Sequence, residues 1–161
     1  MICLSAHLSI TLPISESGIP FTAQSLMVFV IAGIVNTSEF RLIILTYLFL
    51  GVLGLPIFAD GTSGIDKIIG SSGGFLYGFL FSGIFIGSMI AYFKPIKLYH
   101  LLCIFFLATF VLFAFGIGHL SIKFGFEKAL EYGWFPFWKM GFFKAFLATL
   151  IVSLVKRYVL V

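Results

Sequence analysis

The chain is a succession of apolar runs, divided by short stretches rich in Pro, Gly, Ser and Lys, with almost no charge inside the runs. That pattern constrains the fold more than any motif does. A soluble domain needs a water-facing shell and typically carries about 25% charged residues. Here 10% of the 161 residues are charged and 61% are hydrophobic. Most of the surface must therefore face something apolar, and a lipid bilayer is the expected solvent. A spanning helix takes about 20 residues, which leaves room for about six spans joined by short loops. The expected fold class is an all-α integral membrane protein, a six-helix transmembrane bundle, with residues 1–161 forming one transmembrane domain.

The breaks place the spans. Met1 to Leu12 reads as a first span too short to cross, so either the true start lies upstream or this helix inserts only partly. It has no basic n-region and no small-residue cleavage site, so it is not read as a signal peptide. Pro13 to Phe21 is a loop, with Pro13, Gly18 and Pro20 as breakers. The second span runs from about Thr22 to Val35 and the third from about Phe40 to Leu55. Pro56 to Ser72 is a long loop of Gly, Ser and Asp. The fourth span is Gly73 to Phe93, Lys94 to Lys97 is a tight turn, and the fifth span is Leu98 to about Leu120. Ser121 to Trp138 is a loop with a short amphipathic helix expected around Phe126 to Tyr132. The sixth span is about Lys139 to Leu154. Within the fourth span, Gly74, Gly78 and Ser82 recur every fourth residue, as do Gly83 and Gly87, a spacing that lets helices approach closely in lipid.

Charge suggests an orientation. With the N-terminus in the cytoplasm, Arg41, Lys94, Lys97, Lys156 and Arg157 face one acid, Glu39, on the inner side. The outer loops then hold Lys67, Lys123, Lys128 and Lys139 with Glu16, Asp60, Asp66, Glu127 and Glu131. Short inner loops dense in Lys and Arg fit the positive-inside rule. Lys144 is left inside the sixth span, where a charge costs at least about 2.5 kcal/mol. A snorkelling lysine is the bland reading. The sharper reading is an ammonium turned inward to meet an anionic ligand group.

Several function classes are disfavoured. All the carboxylates fall in the expected loops, so a proton-coupled carrier or intramembrane protease lacks its usual deep acid. No GxxxxGK[ST] occurs; the nearest stretch, Gly61 to Lys67, has Asp66 where the second Gly belongs. His7, His100 and His119 are scattered, as are Cys3 and Cys103, which argues against a metal or redox site. The net charge of +4 is dispersed and forms no nucleic-acid patch. No enzyme activity and no cofactor are expected. The balance favours a binding subunit that borrows its energy.

Four stretches carry a family resemblance. Ile19-Pro20-Phe21-Thr22-Ala23-Gln24 resembles the VPxTxQ signature of the BioY family. Tyr47 to Phe58, YLFLGVLGLPIF, resembles its YLLLGxxGLPVF segment, and Gly70 to Phe79, GSSGGFLYGF, its GPTGGYLxGF. Phe143-Lys144-Ala145 is similar to the end of its PGDxxKA motif. The resemblance implies a six-helix S component of an energy-coupling-factor (ECF) transporter. Such a subunit captures biotin at the outer face of the bacterial inner membrane and works with a coupling membrane subunit and two ATPases. The chain departs from the pattern at three points. Gly141 stands where the family Asp falls, and Met140 where its Gly falls. Ser71-Ser72 replaces Pro-Thr. The first helix lacks its usual N-terminal half, of whose small-residue face Ser5 and Ser9 are the remnant.

Biotin offers an apolar ring and chain, a planar ureido group and a carboxylate. A matching pocket is mostly apolar with a few placed polar groups. Thr22, Gln24, Thr62 and Ser72 are able to bond the ureido group; each could equally cap a helix, and for Thr22 and Ser72 capping is the favoured reading. Gly73 and Gly74 can bring backbone N–H groups to a ligand or simply shape the helix entry. Phe75, Tyr77 and Trp138 can wall the rings or anchor the membrane interface. Lys144 is the expected partner of the carboxylate or of a polar ring contact, with Lys139 as second candidate. The competing readings are an S component for another small vitamin, and a membrane scaffold without ligand.

Overall fold

The computed structural model describes residues 2–6, 9–10, 21–94 and 96–158. His7, Glu16 and the Ile19-Pro20 start of the first motif lie outside the described residues. The elements follow in the order α1 (Ile2–Ala6), a two-residue antiparallel pairing of β1 (Ser9–Ile10) with β2 (Phe21–Thr22), α2 (Gln24–Ile34), α3 (Thr37–Val52), a 3-10 turn (Ala59–Gly61), α4 (Ile65–Ile69), α5 (Gly73–Tyr92), α6 (Leu98–Phe124), α7 (Phe126–Ala129), a π-type turn (Leu130–Trp134) and α8 (Trp138–Tyr158). Three of these, α5, α6 and α8, are long and apolar enough to cross a membrane. Helix α2, at 11 residues, reaches only about 16 Å at 1.5 Å per residue. Thr22, the expected start of the second span, is extended chain instead.

Helices α6 and α8 run on to Phe124 and Tyr158, each four residues past the expected end, and two further differences from the sequence reading have local reasons. Helix α3 starts at Thr37 rather than Phe40, because the Glu39 carboxylate accepts from the Asn36 backbone N–H at 3.1 Å and so satisfies a free donor at the helix start. Glu39 therefore belongs to a helix and not to a loop. The stretch read as one long loop, 56–72, holds the 3-10 turn and α4, both too short to show a helical period.

Lipid tails are as apolar as leucine, so burying leucine gains little, and helices associate where their backbones can come close. The fourth-span glycines serve that end. A Cβ on Gly74 would lie 2.6 Å from the Phe115 carbonyl oxygen, and one on Gly78 2.9 Å from that of Leu112, so both seat α5 on α6. Gly83 lies under the Phe40 ring and Gly87 against Thr37, which seats α3 on the other side of α5. Helix α8 buries Ala145, Ala148, Thr149 and Val152, one stripe at helical spacing. Its Phe143, Phe146, Leu150 and Leu154 are exposed, as a lipid-facing side requires.

The end of α3 folds back on itself. Gly54, with φ +102, takes the left-handed turn that favours glycine. The chain then returns so that the Phe58 ring covers Gly51 and meets Tyr47 edge-on at 5.6 Å. The Gly64 N–H donates to the Gly51 carbonyl at 2.8 Å. The segment Tyr47–Phe58 is thus one self-packed unit.

Candidate functional site: a cavity between the helices

Where α2, α5 and α8 begin, the bundle encloses a cavity of about 110 Å³. One water needs only about 10–15 Å³ on this measure, so the space suits a small organic molecule. Its walls draw on α2 (Gln24, Ser25), the returning loop (Phe58, Ala59, Asp60, Thr62), α4 (Lys67), α5 (Phe75, Leu76, Phe79), α6 (Leu112, Phe113) and α8 (Met140, Gly141, Lys144), with Phe137 just before α8.

Polar groups gather on one wall. Lys144 Nζ donates to the Thr22 carbonyl at 2.6 Å and to Ser25 Oγ at 3.2 Å. An ammonium has three N–H donors, so one remains beyond these two bonds. Among the described residues its hydrogen-bond acceptors are neutral oxygens. Thr22 uses its other side for Gln24: its hydroxyl donates to Gln24 Oε1 at 3.2 Å and accepts from the Gln24 N–H at 3.4 Å. The extended pairing at Phe21–Thr22 holds the Thr22 carbonyl in place for Lys144. The facing walls are aromatic. Phe75 meets Phe113 edge-on at 6.3 Å and Phe137 at 6.2 Å. Asp60, a non-glycine residue with φ 57, also lines the cavity, as does Lys67.

The structure brings Thr22, Gln24, Thr62, Ser72, Phe75 and Lys144 to the cavity. Thr62 also donates to the Ala59 carbonyl at 2.7 Å. Ser72 makes no side-chain cap bond to α5. Gly73, Gly74 and Tyr77 are not among the lining residues. The Gly73 N–H goes to the Gly70 carbonyl at 3.1 Å, and Gly74 is committed to α6 by its close approach to Phe115 and Gly116. Tyr77 is 38% exposed and faces His119 at 6.1 Å between ring centres. Trp138 and Lys139 are both exposed and pair with each other, the ammonium 5.6 Å from the indole centre. Sequence reasoning missed Ser25, the rim charges Asp60 and Lys67, and the apolar wall of Leu112, Phe113, Phe137 and Met140. Apolar wall residues read the same whether they face a ligand, a neighbouring helix or lipid. Asp60 and Lys67, as charges in a loop beside the GxxGG stretch, were the detectable signal.

Lipid-facing helices that enclose a cavity with one polar wall define a multi-pass membrane protein built to hold a small solute between its spans. Comparison with known proteins narrows that class. The chain belongs to the BioY family, whose model matches residues 1–160. It is 36% identical over 138 residues to biotin transporter BioY2 of Lactococcus lactis subsp. cremoris (strain MG1363), covering 82% of this chain and 73% of that protein. It is 29% identical over 158 residues to biotin transporter BioY of Thermotoga maritima, covering 98% and 90%. Its fold matches a crystal structure of the S-component for biotin from an ECF-type ABC transporter, with a TM-score of 0.81, 21% identity, and 97% and 85% of the two chains covered.

Proposed function

We propose that this chain is the substrate-binding subunit of an ECF-type ABC transporter and that it captures biotin, acting as one unit over residues 1–161. The observation that carries the reading is the Lys144–Thr22–Gln24 wall set opposite aromatic rings. A bicyclic ligand with a ureido group and a carboxylate needs that mixture of apolar area and a few directed polar groups. Thr22, Gln24, Thr62, Ser72, Phe75 and Lys144 are the residues proposed to contact it. Transport energy comes from partners, a coupling membrane subunit and two ATPases. The protein lies in the bacterial inner membrane with both termini in the cytoplasm, so that the cavity end faces outward. Gly141, which lines the cavity where the family motif has an acid, favours one second reading, an S component for a different small vitamin.

Equilibrium binding to the purified chain in nanodiscs tests the assignment, with biotin, thiamine and riboflavin titrated in parallel. Saturable binding of biotin alone supports it. Preference for another vitamin moves the chain to the second reading, and absence of binding by all three leaves a scaffold role.

A further inference from the structure

One buried polar group stands just behind the polar wall. Tyr47 is 4% exposed and does not line the cavity, yet its hydroxyl touches a residue that does. It donates to the Ile57 carbonyl at 3.1 Å and lies 2.6 Å from the Gln24 carboxamide nitrogen. A phenol has one proton, and a carbonyl oxygen can only accept. The proton is therefore committed to Ile57, and the Gln24 atom beside the hydroxyl has to be the NH2 group. The opposite end of the amide, Oε1, is the end that meets the hydroxyl of Thr22, and Thr22 lines the cavity. That oxygen has two lone pairs; Thr22 takes one and leaves the other.

We propose that Tyr47, standing outside the cavity, fixes the Gln24 carboxamide with its oxygen toward the ligand, so that the site demands an N–H donor there and reads one nitrogen of the cyclic urea. The inference rests on the biotin reading above. Gln24 is 3% exposed, so turning its amide would set its oxygen against the Tyr47 oxygen, whose proton is committed to Ile57, and leave a buried bond unmade. An unmade buried hydrogen bond costs about 1–3 kcal/mol. Tyr47 is held in turn by the folded-back end of α3, because its acceptor Ile57 belongs to the loop that Phe58 pins over Gly51. The polarity of the site is thus set by a loop carbonyl two hydrogen bonds behind Gln24 and three away from the ligand.

The test compares biotin with its two cyclic carbamate isosteres, in which one or the other ureido N–H is replaced by a ring oxygen of similar size. Wild-type protein, Tyr47→Phe and Gln24→Met are each measured in nanodiscs. One isostere is expected to bind the wild type at least about 100-fold more weakly than biotin, since a site built around a donor rejects an acceptor in its place. In Tyr47→Phe the amide is free to turn, and that ratio is expected to fall to about tenfold or less. In Gln24→Met, which has neither amide group, it falls likewise. A merely structural role for Tyr47 would weaken all ligands together and leave the ratio unchanged, which overturns the inference. Wild-type ratios below about threefold for both isosteres overturn it as well, whether or not Tyr47→Phe folds. Failure of the wild type to bind biotin at all overturns the vitamin assignment and the inference with it.

Discussion

Replacing Lys144 with methionine keeps an unbranched, flexible side chain, one heavy atom shorter, and removes the ammonium. The structure gives the magnitudes. In the ligand-free protein the ammonium loses two bonds, to the Thr22 carbonyl and to Ser25 Oγ. Against that loss stands the cost of holding a charge within a spanning helix, at least about 2.5 kcal/mol at mid-membrane and less near a helix end. The Thr22 carbonyl left behind costs about 1–3 kcal/mol. These terms oppose each other, so the stability of the empty protein should change by no more than about 1 kcal/mol, or about 2–4 °C in thermal midpoint at this size. The bound state has no such compensation. A hydrogen bond to a charged group contributes about 1.5–3 kcal/mol, a factor of roughly 10–150 in Kd. Calorimetric titration of biotin into nanodiscs measures the affinity, and a thermal melt of the same empty sample measures the stability. Affinity should drop at least tenfold with the melt nearly unmoved. A Kd within twofold of wild type would refute the assignment of Lys144 to the ligand. A fall of both quantities together would mean that the lysine serves the fold instead.

Gly74→Ala should destabilise the protein by about 1–3 kcal/mol, because its Cβ meets the Phe115 carbonyl at 2.6 Å and backbone cannot yield as a side-chain tip can. Gly118→Ala on the neighbouring helix meets nothing within 4 Å and should stabilise by about 0.5–1 kcal/mol; thermal melts of the two variants should move in opposite directions. His119→Ala removes the ring nitrogen that reaches the carbonyls of Ile69 at 3.2 Å and Gly70 at 2.9 Å. Amide exchange over residues 65–72 should then quicken several-fold while the core of α6 stays protected, and equal exchange in both proteins would refute the role of His119 as the anchor of that loop.

The frame was legible because the membrane makes it so. Long uncharged runs have few alternatives to spanning helices, and the starts of α5 at Gly73 and α6 at Leu98 were read at the residue. The amphipathic turn near Phe126 was legible from Glu127 and Lys128 beside apolar neighbours. Of the residues read from the sequence, the cavity gathers Thr22, Gln24 and Lys144, where polarity broke an apolar run, together with Thr62, Ser72 and Phe75 from the recognised loop and motif. Gly73 and Gly74 illustrate the limit: a glycine pair at a helix start fits a ligand or a neighbouring helix equally well, and only the position of α6 decides. Tyr47 illustrates another. It stood inside a recognised motif, but its role depends on a proton committed to Ile57, and that bond exists only once the loop has folded back.

The bond from Lys144 to Thr22 joins residues 122 positions apart, and it has a bearing on biogenesis. A ribosome that has threaded the chain as far as Phe124 has already delivered most of the cavity wall, but no receptor. Met140, Gly141 and Lys144 arrive with the last helix, so the capacity to hold a solute appears abruptly at the close of insertion. A solute present at that moment would favour only the finished arrangement, because a ligand stabilises whichever state it binds.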